Sequence, residues 1–117
     1  MPGKLSTHVL DTASGKPAQG MRIELHRIDR GDKNPLADLI TNSDGRTDSP
    51  LLAGEKFTVG RYRILFHVGD YFASIGVADA KKFLDVVPVL FHIKDASANY
   101  HVPLLVSPWA YSTYRGS

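Results

Sequence analysis

A chain of 117 residues with 43% hydrophobic and 22% charged side chains has the length of one globular domain and a composition that argues against disorder. Fourteen Lys and Arg against twelve Asp and Glu leave a formal charge of +2, and the cations are scattered along the chain, which excludes the clustered basic face of a nucleic-acid binder. There is no cysteine, so disulfides, a thiolate nucleophile and a thiolate metal site are excluded as well.

The dominant period is two. Leu5, Thr7 and Val9 alternate with Ser6, His8 and Leu10, and Met21, Ile23 and Leu25 alternate with Arg22, Glu24 and His26. The Gly-, Ser- and Pro-rich stretch DTASGKPAQG between them reads as a hairpin loop. An apolar run from Leu36 to Ile40 leads into TNSDGRTD, where Asp44-Gly45 signals a turn and leaves Arg46 at a loop edge. Further on, Tyr62, Ile64, Phe66 and Val68 share one face, as do Val87, Val89, Phe91 and Ile93. Pro88 lacks a ladder donor, which predicts an edge strand or a bulge. Residues Asp70 to Ala80 lose the alternation and predict one short helix with Asp70 as N-cap. Two strands follow, Tyr100 to Val106 and Ala110 to Arg115, separated by SPW. About eight strands, one helix and no internal repeat predict an all-β sandwich forming a single domain over residues 1–117. Residues 1–10 have no signal-type apolar run and no stretch approaches a membrane span, which predicts a soluble, cytoplasmic protein.

Candidate chemistry rests on few side chains. Of the five histidines, His26, His67 and His92 lie on polar strand faces, where solvation is the plain explanation, and no pair has the spacing of a helical zinc site. No metal site is expected. Taken singly, His8 and His101 could be outward strand residues, Arg46 a solvated turn residue, and the tail AYSTYRGS a closing strand. Trp109, Tyr111 and Tyr114 leave open an exposed aromatic platform of a carbohydrate-binding or interaction module.

Taken together, STHVLDT, TNSDGR, NYHVPLLVSP and YSTYRGS resemble the signature stretches of the transthyretin-like family of 5-hydroxyisourate hydrolases, in order and over nearly the whole chain. The ending YRGS is the most specific part, because it separates the hydrolases from the hormone carrier of the same fold. The resemblance implies a transthyretin-like two-sheet sandwich with one short helix, assembled as a homotetramer with active sites at the dimer-dimer interface. It implies hydrolysis of 5-hydroxyisourate to 2-oxo-4-hydroxy-4-carboxy-5-ureidoimidazoline, with no metal or organic cofactor. The family's catalytic positions fall on His8, Arg46, His101 and Ser117, and its substrate contacts on Arg46, Tyr114, Arg115 and Gly116. Three stretches depart from the pattern: Asn99 stands where many members carry histidine, FLDVVP replaces an aromatic-Pro-Glu segment, and Trp109 is bulkier than expected.

These residue types suit opening of a ring amide. The reaction needs a base for water, a proton for the departing nitrogen and positive charge where the oxyanion forms. Histidine serves either proton role near neutrality, and arginine stays charged with a planar fork of donors. The expected roles are substrate orientation and oxyanion stabilisation for Arg46, water activation and proton shuttling for His8 and His101, and fixation of water or substrate for Tyr114 and Ser117. The rival on the same fold is a non-catalytic carrier of small planar ligands.

Overall fold

The computed structural model describes residues 2–31 and 33–116. Its strands, in chain order, are β1 (Lys4–Ser6), β2 (Val9–Asp11), β3 (Lys16–Pro17), β4 (Arg22–Arg27), β5 (Ala37–Ile40), β6 (Leu52–Ala53), β7 (Gly60–His67), β8 (Val86–Ile93), β9 (Tyr100–His101), β10 (Leu104–Val106) and β11 (Tyr111–Thr113). One helix, α1 (Val68–Ser74), follows β7 directly. Two runs read as single strands are each broken, which raises the strand number above the expected eight. The alternation over residues 5–10 is kept, with Leu5, Thr7 and Val9 buried, but the ladder breaks between β1 and β2. The run from Tyr100 to Val106 breaks opposite it, between β9 and β10. Pro103 has no N–H to pair there. The pairing is carried across by Val102 N–H to Ser6 O and Leu104 N–H to His8 O, both 2.9 Å, while the buried Thr7 hydroxyl donates to Val102 O at 2.7 Å.

This junction joins two small sheets, ordered β6-β1-β9 and β11-β10-β2-β3, into one layer. The second layer is β5-β4-β7-β8. Leu5, Val9, Leu104 and Val106 of the first meet Ile23, Leu25, Ile64 and Phe66 of the second in one fully buried cluster. The two layers form the expected sandwich. β8 is an edge strand, as Pro88 requires, with Pro88 opposite Leu65.

Two local expectations are corrected. The stretch DTASGKPAQG does not pair its flanking runs. Asp11 Oδ1 accepts the N–H groups of Ala13 and Ser14, closing a turn that pairs β2 only with the short β3. Ala18 to Gly20 then cross to the other layer, where the Thr41 hydroxyl donates to Ala18 O and accepts Met21 N–H. The helix begins at Val68, before Asp70, and ends at Ser74, before Ala80. Its start is set by tertiary packing: Gly69 N–H donates to Asp85 O at 2.8 Å, so close that a Cβ at Gly69 would lie 3.2 Å from Asp85 Cα. Its end is set by Gly76 at φ +82, with Val77 N–H reaching Phe72 O and Gly76 N–H reaching Ala73 O, a glycine-closed C-terminus. Asp70 sits in the first turn and pairs with Lys81 at 2.6 Å instead of capping.

Candidate active site

The β1–β2 and β9–β10 junctions place His8 and His101 on neighbouring strands of one layer, both half-buried. Arg46 reaches them through its loop. Asn42 Oδ1 accepts the N–H groups of Asp44 and Arg46, and Asn42 N–H donates to Arg46 O at 2.8 Å. The closed loop docks on β2 by Val9 N–H donating to Gly45 O at 2.8 Å. Gly45 stands at φ +76 with its α-carbon against Val9 O, so a side chain there meets both backbone strain and collision. This glycine brings Arg46 to the residue that follows His8.

His101 is the meeting point. Burial, then the charges of Arg46 and His8 nearby, push its imidazole below the usual histidine range. Its Nδ1 lies 2.9 Å from Ser6 Oγ. Its backbone is clamped to the tail in an antiparallel bridge: Gly116 N–H donates to His101 O at 2.7 Å and His101 N–H to Gly116 O at 3.3 Å. Gly116 packs closely against His101, since a Cβ there would stand 3.0 Å from His101 Cδ2 and 3.1 Å from its Cβ. A hollow of about 250 Å³ opens beside Ser6, walled by Ser6, Thr7, Arg46, Thr47 and Asp48 among others, with neither His8 nor His101 in its wall.

The structure therefore brings together His8, Arg46, His101 and Gly116. Tyr114 is exposed, and Tyr114 and Arg115 border a separate, apolar hollow of about 520 Å³ against β8. The Arg115 guanidinium lies 4.4 Å from the Tyr100 ring centre and donates to Asn99 O at 3.2 Å, so the side chain anchors the tail. Ser117 lies outside the described residues. Ser6 was missed from sequence, although its alternation with Thr7 puts it on the same strand face as His8. Among the described residues no group of three or more His, Cys, Asp or Glu could hold a metal ion.

The three departures from the family pattern have structural partners. Phe83 of FLDVVP stacks on Trp109 at 6.4 Å, so two of them form one contact. Trp109 is thus engaged with Phe83, and Tyr111 and Tyr114 are exposed on the adjoining strand and tail. Asn99 Oδ1 accepts Lys4 N–H at 3.2 Å, tying the start of β1 to the turn before β9.

A family model described as HIUase/Transthyretin family matches residues 5–116. The 5-hydroxyisourate hydrolase 2 of Rhizobium meliloti is 53% identical over 116 residues, covering 98% of this chain and 97% of that protein. The crystal structure of (S)-allantoin synthase matches with a TM-score of 0.93 and 48% identity over 99% of this chain, which spans only 44% of that longer chain. The structure of Klebsiella pneumoniae 5-hydroxyisourate hydrolase matches with a TM-score of 0.82 and 35% identity, covering 98% of this chain and 99% of that one.

Proposed function

The chain belongs to the HIUase/Transthyretin family, and from that premise we propose that it hydrolyses 5-hydroxyisourate to 2-oxo-4-hydroxy-4-carboxy-5-ureidoimidazoline. The observation that carries this reading is the convergence of His8, Arg46 and the Gly116 bridge on a single half-buried imidazole, whose proton affinity burial lowers. The names of full-length relatives at 53% and 35% identity support it.

His101, neutral at physiological pH, takes the proton of the attacking water as its oxygen bonds to a ring amide carbonyl carbon. Arg46 faces the oxygen on which negative charge gathers and orients the substrate's carbonyl rim. As the carbon–nitrogen bond breaks, the proton taken by His101 passes through His8 to the departing nitrogen, which returns both imidazoles to their starting state. Ser117 belongs to the proposal as a group that fixes water or substrate, and Tyr114, which borders the separate hollow against β8, is left out of this step. Arg115 and Gly116 hold the tail beside β9. No cofactor is assigned a part.

The test is the ultraviolet decay of 5-hydroxyisourate generated in place from urate by urate oxidase. Decay faster than the spontaneous rate and proportional to protein concentration supports the hydrolase. Unchanged decay with folded protein overturns it in favour of a carrier of small planar ligands. We also propose one domain, a cytoplasmic location and a homotetramer with sites between dimers. No helix among the described residues is long and apolar enough to cross a membrane. The outer edges of β8 and β11, each paired on one side within this chain, support association. A fully active monomer by light scattering would overturn it.

A further inference from the structure

Among the described residues, Ser6 is a side chain whose hydroxyl reaches the central imidazole. Its hydroxyl oxygen and His101 Nδ1 are 2.9 Å apart, and the two residues are 95 positions apart in sequence. The parallel pairing of β1 with β9 sets Ser6 opposite His101, so the contact is built into the register of the layer. The same serine forms part of the wall of the Arg46 hollow. Ser6 therefore stands between that hollow and the His101 ring.

A neutral imidazole carries its proton on one nitrogen and its lone pair on the other, and the hydrogen bond made by one nitrogen decides the role of the other. On the far side of the ring, Gly116 packs against Cδ2, so the imidazole is held between a hydroxyl and a backbone. A base that must accept a proton at Nε2 needs its own proton kept on Nδ1.

We propose that Ser6 is a positioning residue for His101: its Oγ accepts the Nδ1–H and so fixes the tautomer whose Nε2 lone pair faces the reacting water. The proposal rests on the hydrolase reading for its kinetic part. When Nε2 takes the proton from water, the bond from Nδ1–H to Ser6 persists in the imidazolium, and the ring does not turn during the step. Burial and the nearby Arg46 charge supply the neutral ring on which this selection acts.

The experiment is nitrogen-15 NMR of the His101 ring in the full chain, at a pH where the ring is neutral, together with kcat and KM on 5-hydroxyisourate. Wild type, Ser6→Ala and Ser6→Thr are compared. Wild type and Ser6→Thr should show a protonated Nδ1, and Ser6→Ala a mixture of tautomers. A positioned base contributes about 10² to 10⁴ in rate, and losing its tautomer should remove about 10- to 100-fold of kcat. KM should change by less than about twofold, and threonine should restore most of the loss. Protonation of Nε2 in wild type, or an unchanged tautomer and kcat in a folded Ser6→Ala, overturns the assignment. If the alanine variant does not fold, the wild-type tautomer and the threonine variant decide. If wild type has no hydrolase activity, the functional reading fails while the ring spectrum still decides the role of Ser6.

Discussion

Arg46 acts on the site in two ways that separate in experiment. If Arg46 faces the developing oxyanion as proposed, Arg46→Ala should lower kcat/KM about 10²- to 10³-fold, and full turnover would remove it from the mechanism. As a charge beside His101, it helps hold that imidazole below its ordinary value of 6.5, after burial and ahead of His8. The acid limb of kcat/KM should therefore lie below 6.5, and in the residual activity of Arg46→Gln it should move upward. The stability consequence has the opposite sense to that of a salt-bridged histidine. As pH falls through 6.5 the unfolded chain binds a proton that folded His101 refuses, so stability declines from there down to the depressed folded value and is unaffected above. Denaturant midpoints of wild type and His101→Asn across that window measure it.

At the scale of elements, α1 and the β2–β3 turn are tied by one buried bond. The Tyr71 hydroxyl donates to Asp11 Oδ2 at 2.9 Å, and burial, with the Asp11 carboxylate beside it, pushes the phenol up to about 12. Asp11 is 1% exposed, and its other oxygen already holds the turn. Tyr71→Phe should cost about 1–3 kcal/mol, because a buried carboxylate oxygen loses its donor. A thermal midpoint equal to wild type would show that the bond contributes nothing. The same elements separate what local pattern discloses from what it hides. Alternation identified the inward faces of β4, β7 and β8, since burying one face of a strand imposes a period of two on its residues. It placed α1 too late, because Val68 continues the apolar phase of β7 and only contact with Asp85, distant in sequence, turns the chain there. Gly76, a C-cap signal legible in sequence, marks the end that was overrun.

Across the molecule, the outer face of the β5-β4-β7-β8 layer carries an acid-sensitive network. Glu24 on β4 receives His67 at 2.5 Å and His26 at 3.3 Å, while Arg22 makes a two-pronged pair with Asp38 on β5. The His67 hydrogen bond, seconded by that of His26, holds Glu24 below its ordinary 4.5 despite partial burial. Its stabilising effect is complete above that ordinary value and lost as pH falls through the lowered one. Glu24→Gln should flatten the acid side of the stability profile; an unchanged slope would assign the loss to other carboxylates. The fold was legible, and the candidate positions His8, Arg46 and His101 could be named, because they lie in short, recognisable stretches. Ser6 was not, since a serine on a polar strand face looks ordinary until a strand from the far end of the chain is laid beside it.

The Gly116 bridge gives the site a failure mode of its own. Two backbone bonds hold the tail to His101, whereas the core beneath is closed by whole ladders. Peeling the tail away would free the imidazole on one side while the sandwich stayed intact. The Gly116 amide should thus exchange its hydrogen far sooner than those of β7, and its exchange rate would report how often the enzyme stands disarmed but folded.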